Sequence, residues 1–441
     1  MQMEFDGKTK MQARLGSETY EQGYVAGYAY GVQEGYRAFA DRQEITSIII
    51  PTYDRRDLLL QCLDHIDRYT STPYEVIIVD NGSTDGTATA VRRRPGRVRL
   101  AVYPQNLGFA RAVNTGLMMA KGNTIVLLNN DVLVTERWLD QLLACLRQFP
   151  QAAAVGPVTN YISGEQQIDV PYEDVADMPA FAALYNRSDP MKWRMTDRLV
   201  GFCVAFPRAT LEQVGYFDEG YEIGNFEDED WVARLRLQGK KLVIAEDTFV
   251  HHYGSMTMKG LGNQQFQEVN TRNHHFFREK WGDLHALYAR MTDWREERTL
   301  RAADFFPTHV RVRDVKGGVH WLEHGVRHPV HPAAADTMPV PLRLSVLDLV
   351  QLPVGPARSA EQLAGLSSGM PTEAGLTDGI VVASSGRWYQ IDRGQRREII
   401  SEYTLSAWGL TPSVTVPENV VAAYPEGLPI LPPQRIVSED L

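Results

Sequence analysis

The alternation of apolar and polar positions changes character three times along the chain. From about residue 17 to 40, Gly23, Gly27, Gly31 and Gly35 recur at a spacing of four, with Tyr20, Tyr24, Tyr28 and Tyr36 in the same register. Residues four apart share one face of a helix, so this spacing predicts a helix with a glycine groove beside a tyrosine ridge. Each helical glycine costs about 1 kcal/mol against alanine. Such a helix therefore needs a close-packed partner, either the chain's own body or a second copy. Glu21, Gln22, Gln33 and Glu34 interrupt the segment and exclude a membrane helix.

From Ile45 onward, short β-branched runs alternate with stretches of helical spacing. Residues 47–50 and 75–79 are each followed by turn residues and then by a helical pattern, as in Leu58, Leu59, Leu60, Cys62 and Leu63; residues 98–102 and 124–128 continue the series. Near-continuous apolar strands separated by helices predict an α/β fold, a Rossmann-like, mostly parallel sheet with helices on both faces. Ligands of such sheets bind beyond the carboxyl ends of the strands, where Asp80, Asn106 and Asp131 fall.

After about Gly282 the pattern turns to short strands and loops rich in Pro and Gly. Residues 317–327 align with 386–396 through Gly317/Gly386, Leu322/Ile391, Glu323/Asp392, Gly325/Gly394 and Arg327/Arg396, followed by Val330/Ile399. A strand, an acidic turn with glycine and a second strand read as a hairpin, so the tail is predicted to hold two copies of a small β-rich unit. The expected division is an N-terminal helical segment (1–43), an α/β domain (44–290) and a β-rich C-terminal region (291–441).

Composition narrows the function. The chain has 441 residues, 44% of them hydrophobic, with 45 Lys and Arg against 55 Asp and Glu, a net charge of -10. That is an ordinary globular composition, with length for two or three domains and no basic footprint for nucleic acid. Cys62, Cys145 and Cys203 lie far apart in apolar surroundings, which suits reduced thiols; with no signal peptide or transmembrane segment evident, the expected location is cytoplasmic.

The strongest local signal is the strand end Leu127-Leu128-Asn129-Asn130-Asp131, where a carboxylate beside an open crevice suits a hard divalent cation bound to phosphates, though the same residues also suit a plain turn. Other motifs arrive in fixed order. They are Pro51-Thr52-Tyr53, residues 79–85 (Val-Asp-Asn-Gly-Ser-Thr-Asp), residues 106–116 beginning Asn-Leu-Gly-Phe, Gly215-Tyr216-Phe217-Asp218-Glu219, Phe226-Glu227-Asp228-Glu229-Asp230-Trp231 with Arg234, and Val250-His251-His252-Tyr253. Together they resemble the inverting family 2 glycosyltransferases of the GT-A fold, particularly the branch that includes rhamnosyltransferases and other bacterial cell-surface glycan enzymes, over roughly residues 45 to 282.

The resemblance implies transfer of a sugar from a UDP- or dTDP-sugar to a glycan or protein acceptor, with Mn²⁺ or Mg²⁺ as cofactor. Asp80 would read the base and Pro51, Thr52 and Tyr53 would line the nucleoside pocket, with Asn106, Gly108, Arg111 and Asn130 completing the donor site. Asp131 stands at the family's metal-binding aspartate, although the first carboxylate of that motif is absent here. His251 would complete the metal site, with His252 as a close rival. Asp228 matches the general base and Glu227 is its nearest substitute. Gly201, Phe202 and Trp231 would face the acceptor.

The chemistry agrees with these roles, because in-line displacement needs a base opposite the departing diphosphate. Crowding of residues 227–230 should raise at least one of their pKa values; the alternative is an acidic helix start favoured by the helix dipole, with Asp230 as a structural member. Nucleotidyl transfer and a non-catalytic sugar-binding scaffold are the competing classes.

Two further patterns need context. His320-Trp321-Leu322-Glu323-His324 fits a His-x-x-Glu-His zinc spacing, which requires a helix, whereas the glycines at 317, 318 and 325 predict a strand. Residues 273–277 (Asn-His-His-Phe-Phe) read as surface and packing positions on a helix. In the tail, Trp321, Trp388, Tyr389 and Trp408 beside Arg327, Arg396 and Arg397 suit either sugar stacking or the cores of the two β units.

Overall fold

Strand β1 (Gln43–Thr52) carries an unbroken isoleucine run, and both of its faces are covered. Ile49 packs in one core layer with Ile77 and Val79 of β2 (Tyr74–Asp80), while Ile48 and Ile50 pack in the opposite layer with Val76 and Ile78. Alternate residues of a strand point to opposite faces, so two apolar layers are what a doubly covered sheet requires. Each such side chain contributes about 1.5–3 kcal/mol on full burial. The computed structural model describes residues 22, 26 and 41–441, except 97, 255–262, 293, 295–299, 332–341, 360, 364–374 and 440. The Gly/Tyr repeat therefore lies outside the described residues, apart from Gln22 and Ala26. Residues Glu44–Leu441 form one compact unit.

The remaining strands of the main sheet are β3 (Val98–Val102), β4 (Gly122–Leu128), β5 (Val132–Leu133), β6 (Ala152–Thr159), β7 (Trp193–Thr196), β8 (Cys203–Pro207) and β9 (Lys241–His252). Their order is β3-β2-β1-β4-β8-β6-β9-β5, with β7 also on β9. Strands β1, β2 and β3 are parallel, as are β6 and β9, but β8 enters antiparallel between β4 and β6. The sheet is thus a mixed Rossmann-like α/β sheet, less uniformly parallel than the strand–helix alternation alone suggests. Flanking helices are α1 (Arg56–Tyr69), α2 (Thr87–Arg93), α3 (Phe109–Met119), α4 (Trp138–Gln148), α5 (Met178–Tyr185), α6 (Arg208–Val214), α7 (Glu227–Leu237) and α8 (Asn263–Trp281). Helix α3 comes so near the sheet that a Cβ on Gly116 would lie 2.2 Å from Ile49 Cγ2.

The C-terminal region holds two four-stranded sheets of the same order. Strands β10 (Val310–Arg313), β11 (Val319–Glu323), β12 (Val326–Pro329) and β13 (Leu342–Arg343) form the first. Strands β14 (Val381–Ser384), β15 (Arg387–Asp392), β16 (Gln395–Ile399) and β17 (Val414–Thr415) form the second. In each, an antiparallel meander is closed by a short parallel strand. The aromatic residues serve these small cores: Trp321 and Trp408 are buried, Trp388 and Tyr389 half-buried, and Arg397 is buried against Asp392. The sugar-stacking reading of the buried tryptophans is thereby corrected, since a short β unit must bury its few large apolar groups.

The last residues return to the main core. Ile436 and Leu441 belong to the same apolar layer as Ile49, and the buried Glu219 carboxylate accepts hydrogen bonds from Val437 N (2.6 Å), Ser438 N (2.7 Å) and Ser438 Oγ (2.8 Å).

Candidate active site

The carboxyl ends of β1, β2 and β4 open onto a cleft of about 970 Å³. Its lining includes Pro51 and Thr52 at the end of β1 with Tyr53 after it, Asn81 after β2 and Asn129, Asn130 and Asp131 after β4. The other wall brings Gly201 and Phe202 before β8, Ile223, Gly224 and Asn225, the first residues of α7 (Glu227 and Asp228), and His252 at the end of β9.

The nucleoside side is built by short amide links. Asn130 Nδ2 donates to Thr52 Oγ1 (2.8 Å), and Asn81 Nδ2 donates to Asn106 Oδ1 (2.9 Å) and to the Gly108 carbonyl (3.1 Å). Asn81, not singled out from sequence, is thus the junction between the second strand and the Asn106 loop. Asp80 is fully buried; Oδ1 accepts from Ser83 N (2.8 Å), and Oδ2 has no hydrogen-bond partner. A buried acceptor without a donor is costly in a folded protein, and Asp80 lies behind the residues that line the cleft rather than among them. Arg111 stands apart from the cleft lining, its Nε 3.9 Å from Glu219 Oε2.

Asp131 and the two histidines show what strand alternation decides. Strands β5 and β9 pair so that Val132 lies opposite His252 and Leu133 opposite His251. His252 Nε2 is 3.3 Å from Asp131 Oδ1, with both side chains almost fully buried. His251 points away from the cleft; its Nδ1 hydrogen-bonds with the Tyr172 hydroxyl (2.8 Å), and burial, together with the neighbouring His252, lowers its pKa to about 4. The place beside Asp131 therefore falls to His252 in exchange for His251. Phe202 stacks on the His252 ring (5.4 Å, 16°), and the Tyr161 carbonyl holds His252 Nδ1 (2.8 Å). That carbonyl can only accept, so Nδ1 carries a proton and Nε2 is the atom turned to the Asp131 carboxylate. A neutral imidazole so placed would offer Nε2, together with the carboxylate, to a divalent cation.

The acidic run divides by surroundings. Glu227 is buried, its Oε2 unpartnered, and burial followed by the charge of Asp228 raises its pKa well above the usual carboxylate range. Asp228 lines the cleft and accepts from Gly201 N at 3.1 Å. A Cβ on Gly201 would lie 3.3 Å from the Asp228 Cβ, so the glycine is what lets the carboxylate approach the backbone. Glu229 meets Arg198 at 3.3 Å. Asp230 is structural: burial raises its pKa, but Lys280 and Arg234 outweigh that and hold it below the ordinary value. Trp231, expected at the acceptor, is buried instead, stacked on Phe217 (5.3 Å, 7°).

The loop before α7 is strained, with Ile223, Asn225 and Phe226 at φ of 58°, 77° and 72°. Asn273 of α8, buried, holds it in place. Its Nδ2 donates to the carbonyls of Glu222 (2.9 Å), Gly224 (2.9 Å) and Asn225 (3.1 Å), and its Oδ1 accepts from Glu222 N (3.0 Å). Asn273, which the sequence did not single out, is a clamp on the cleft wall.

Among the described residues, one group of three metal-ligating side chains converges, His309, Glu323 and His324, and it lies in the C-terminal region outside this cleft. No described helix is long and apolar enough to cross a membrane.

The glycosyl transferase family 2 model matches residues 47–214. Glycosyltransferase GlyG of Streptococcus pneumoniae is 31% identical over 46% of this chain and 69% of its own length. The N-acetylglucosaminyl-diphospho-decaprenol L-rhamnosyltransferase of Mycobacterium tuberculosis is 28% identical over 48% of this chain and 76% of its own. Validoxylamine A glucosyltransferase of Streptomyces hygroscopicus is 27% identical, and the chain spans about half (51%) of its length. Among solved structures, the mannosyltransferase PcManGT from Pyrobaculum calidifontis, in complex with GDP-Man and Mn²⁺, is similar at 20% identity and a TM-score of 0.37, over 61% of this chain and 83% of that one. With its match to the family model and its 31% identity to GlyG over more than two thirds of that protein, the chain belongs to glycosyl transferase family 2.

Proposed function

We propose that the chain is a metal-dependent, inverting glycosyltransferase that moves one sugar from a UDP- or dTDP-sugar to a glycan or protein acceptor, within the cytoplasmic steps of bacterial surface-glycan synthesis. The observation that carries this reading is the placement of His252 Nε2 at 3.3 Å from Asp131 Oδ1, in the same cleft as Asp228 and Glu227. Asp131 and His252 would hold Mn²⁺ or Mg²⁺, which would supply neutralising charge for the diphosphate. The unpartnered Asp80 Oδ2 suits a nucleobase N–H.

On this reading Asp228 takes the acceptor hydroxyl proton as the acceptor oxygen bonds to the anomeric carbon. The bond from that carbon to the phosphate oxygen breaks, and its electron pair leaves with the nucleoside diphosphate, inverting the centre. A proton kept on Glu227 by burial removes a like charge from beside Asp228. Gly201 N, donating to Asp228, fixes the direction of the carboxylate.

The test is release of free nucleoside diphosphate from a panel of UDP-, dTDP- and GDP-sugars, with and without EDTA, by wild type and Asp228→Asn. Donor-specific release that EDTA removes and Mn²⁺ restores, and that Asp228→Asn abolishes while donor binding persists, is expected. Activity undiminished in EDTA would overturn the metal assignment, and turnover retained by Asp228→Asn would overturn the base. An NMR coupling constant showing retained anomeric configuration would overturn inversion.

A further inference from the structure

The two C-terminal β units share the same backbone positions, and the first unit carries two histidines where the second has a glycine and an arginine. By strand register, Val310 opposite Leu322 corresponds to Ile380 opposite Ile391, so His309 corresponds to Gly379, Glu323 to Asp392 and His324 to Arg393. Gly379 has φ +84°, as a left-handed position favours, whereas its counterpart His309 keeps an imidazole at φ 54°. The units meet at these positions: a Cβ on Gly379 would lie 1.8 Å from His309 Nδ1, a close approach that only glycine permits.

We propose that His309, Glu323 and His324 of the first unit, closed by Asp378 of the second, form a Zn²⁺ site that fastens the two β units together. Each of the first three offers a ligand atom within 4.8 Å of the others. His324 Nδ1 is held by Asp392 Oδ1 (2.7 Å), and its Nε2 lies 3.7 Å from Asp378 Oδ2. The latter separation is long for a hydrogen bond and short enough for a shared ion. A carboxylate on the far nitrogen of a ligating histidine orients the ring and raises its basicity. Asp392 is itself fixed by Arg397 (3.0 Å). Arg358 grips Glu323 through Oε2 (2.5 Å), and Trp321 stacks on the His309 ring (5.6 Å, 26°).

His309 Nδ1 is buried with no hydrogen-bond partner. Two imidazoles with a carboxylate suit zinc, and Asp378, outside that group of three but 3.7 Å from His324 Nε2, is the carboxylate of the second unit placed to close the coordination. The His-x-x-Glu-His spacing read from sequence is not the device, because His320 pairs with Asp314 (2.9 Å) on another side of β11. The half-exposed edge formed by His324 and Asp378 gives the ion an entry path.

The experiment uses full-length protein stripped with chelator, reloaded with Zn²⁺, desalted and measured for bound zinc and melting temperature. An Asp131→Ala background separates this site from the donor cleft. A stoichiometric equivalent is expected in wild type, Asp131→Ala and His320→Ala, with a zinc-dependent rise in melting temperature. His309→Ala and His324→Ala should lose affinity by more than the roughly 10- to 100-fold typical of an outer-shell change. Their metal-free forms should still melt in one cooperative transition, which reports intact folding. Co²⁺ titration of unmutated protein gives an independent reading through the visible absorption of a four-coordinate ion. Absence of retained zinc and of that absorption in wild type, or equal retention by the His309 and His324 variants, would overturn the proposal.

Discussion

Removing the Asn273 side chain tests how the cleft wall is held. Asn273→Ala removes four hydrogen bonds to the 222–225 loop, those to the Glu222 amide and to the carbonyls of Glu222, Gly224 and Asn225, of which the Glu222 carbonyl keeps a second donor in Gly224 N. At about 1 kcal/mol net per hydrogen bond, the loss is at most about 4 kcal/mol. Relief of left-handed strain at Ile223, Asn225 and Phe226, worth of order 1–3 kcal/mol per residue, lets the loop relax and returns part of it. The expected cost is therefore about 2–4 kcal/mol, read as a shift of the urea midpoint. Because Glu227 and Asp228 follow the loop directly, relaxation displaces them, and turnover should fall by about 100-fold, as a displacement near 1 Å can produce.

Asn273→Asp sharpens the test. It keeps the acceptor for Glu222 N but sets a carboxylate against three carbonyls, so it should be worse than alanine in both stability and turnover. An Asp variant better tolerated than Ala, or an Ala variant with wild-type turnover after a clear stability loss, would refute the clamp.

Lys280, fully buried between Asp218 and Asp230, should be intolerant of Lys280→Met, which leaves the buried Asp218 carboxylate without its counter-charge and Asp230 with Arg234 alone, at a cost of about 3–5 kcal/mol by denaturant melts. Glu227→Gln should stabilise the fold above the ordinary glutamate pKa. The raised native pKa means the unfolded chain gives up its proton first, so wild-type stability falls as pH rises from near 4.5 toward the native value, and the gap between variant and wild type should widen over that window in urea melts. Deleting residues 434–441 removes the Ile436 and Leu441 side chains from the core and three donors from Glu219, so a loss of about 5 kcal/mol or more, or failure to fold, is expected by thermal melting.

The doubly covered strands were legible because isoleucine and valine runs with turn residues at their ends admit few other readings. The acidic run 227–230 and Asp131 were legible as a set for the same local reason: carboxylates gathered at element ends. What sequence left open depended on partners remote in the chain. The choice between His251 and His252 rests on the pairing of β9 with β5, and a strand buried on both faces shows no alternation from which to read it. Trp231, three residues beyond Asp228, shares its helix face by spacing alone; the Phe217 ring, brought from another loop, explains its burial. Asn273 gave no signal at all, since its partners are main-chain groups 48 to 51 residues away and main-chain groups have no sequence identity.

Glu219 carries this point to the site itself. As part of the Gly215–Glu219 motif it reads locally as a turn, yet its carboxylate joins Asn114 of α3 (3.0 Å) to the backbone of Val437 and Ser438, 218 and 219 residues later. Asn114 in turn holds both the N–H and the carbonyl of Phe217, whose ring carries Trp231 and hence the start of α7. The position of Asp228 is therefore tied, through Trp231, Phe217, Asn114 and Glu219, to the last residues of the chain. A buried carboxylate accepting charge-assisted bonds tolerates no loss of its donors, so the end of the β-rich region acts on the cleft by fixing one wall of it rather than by touching any ligand there.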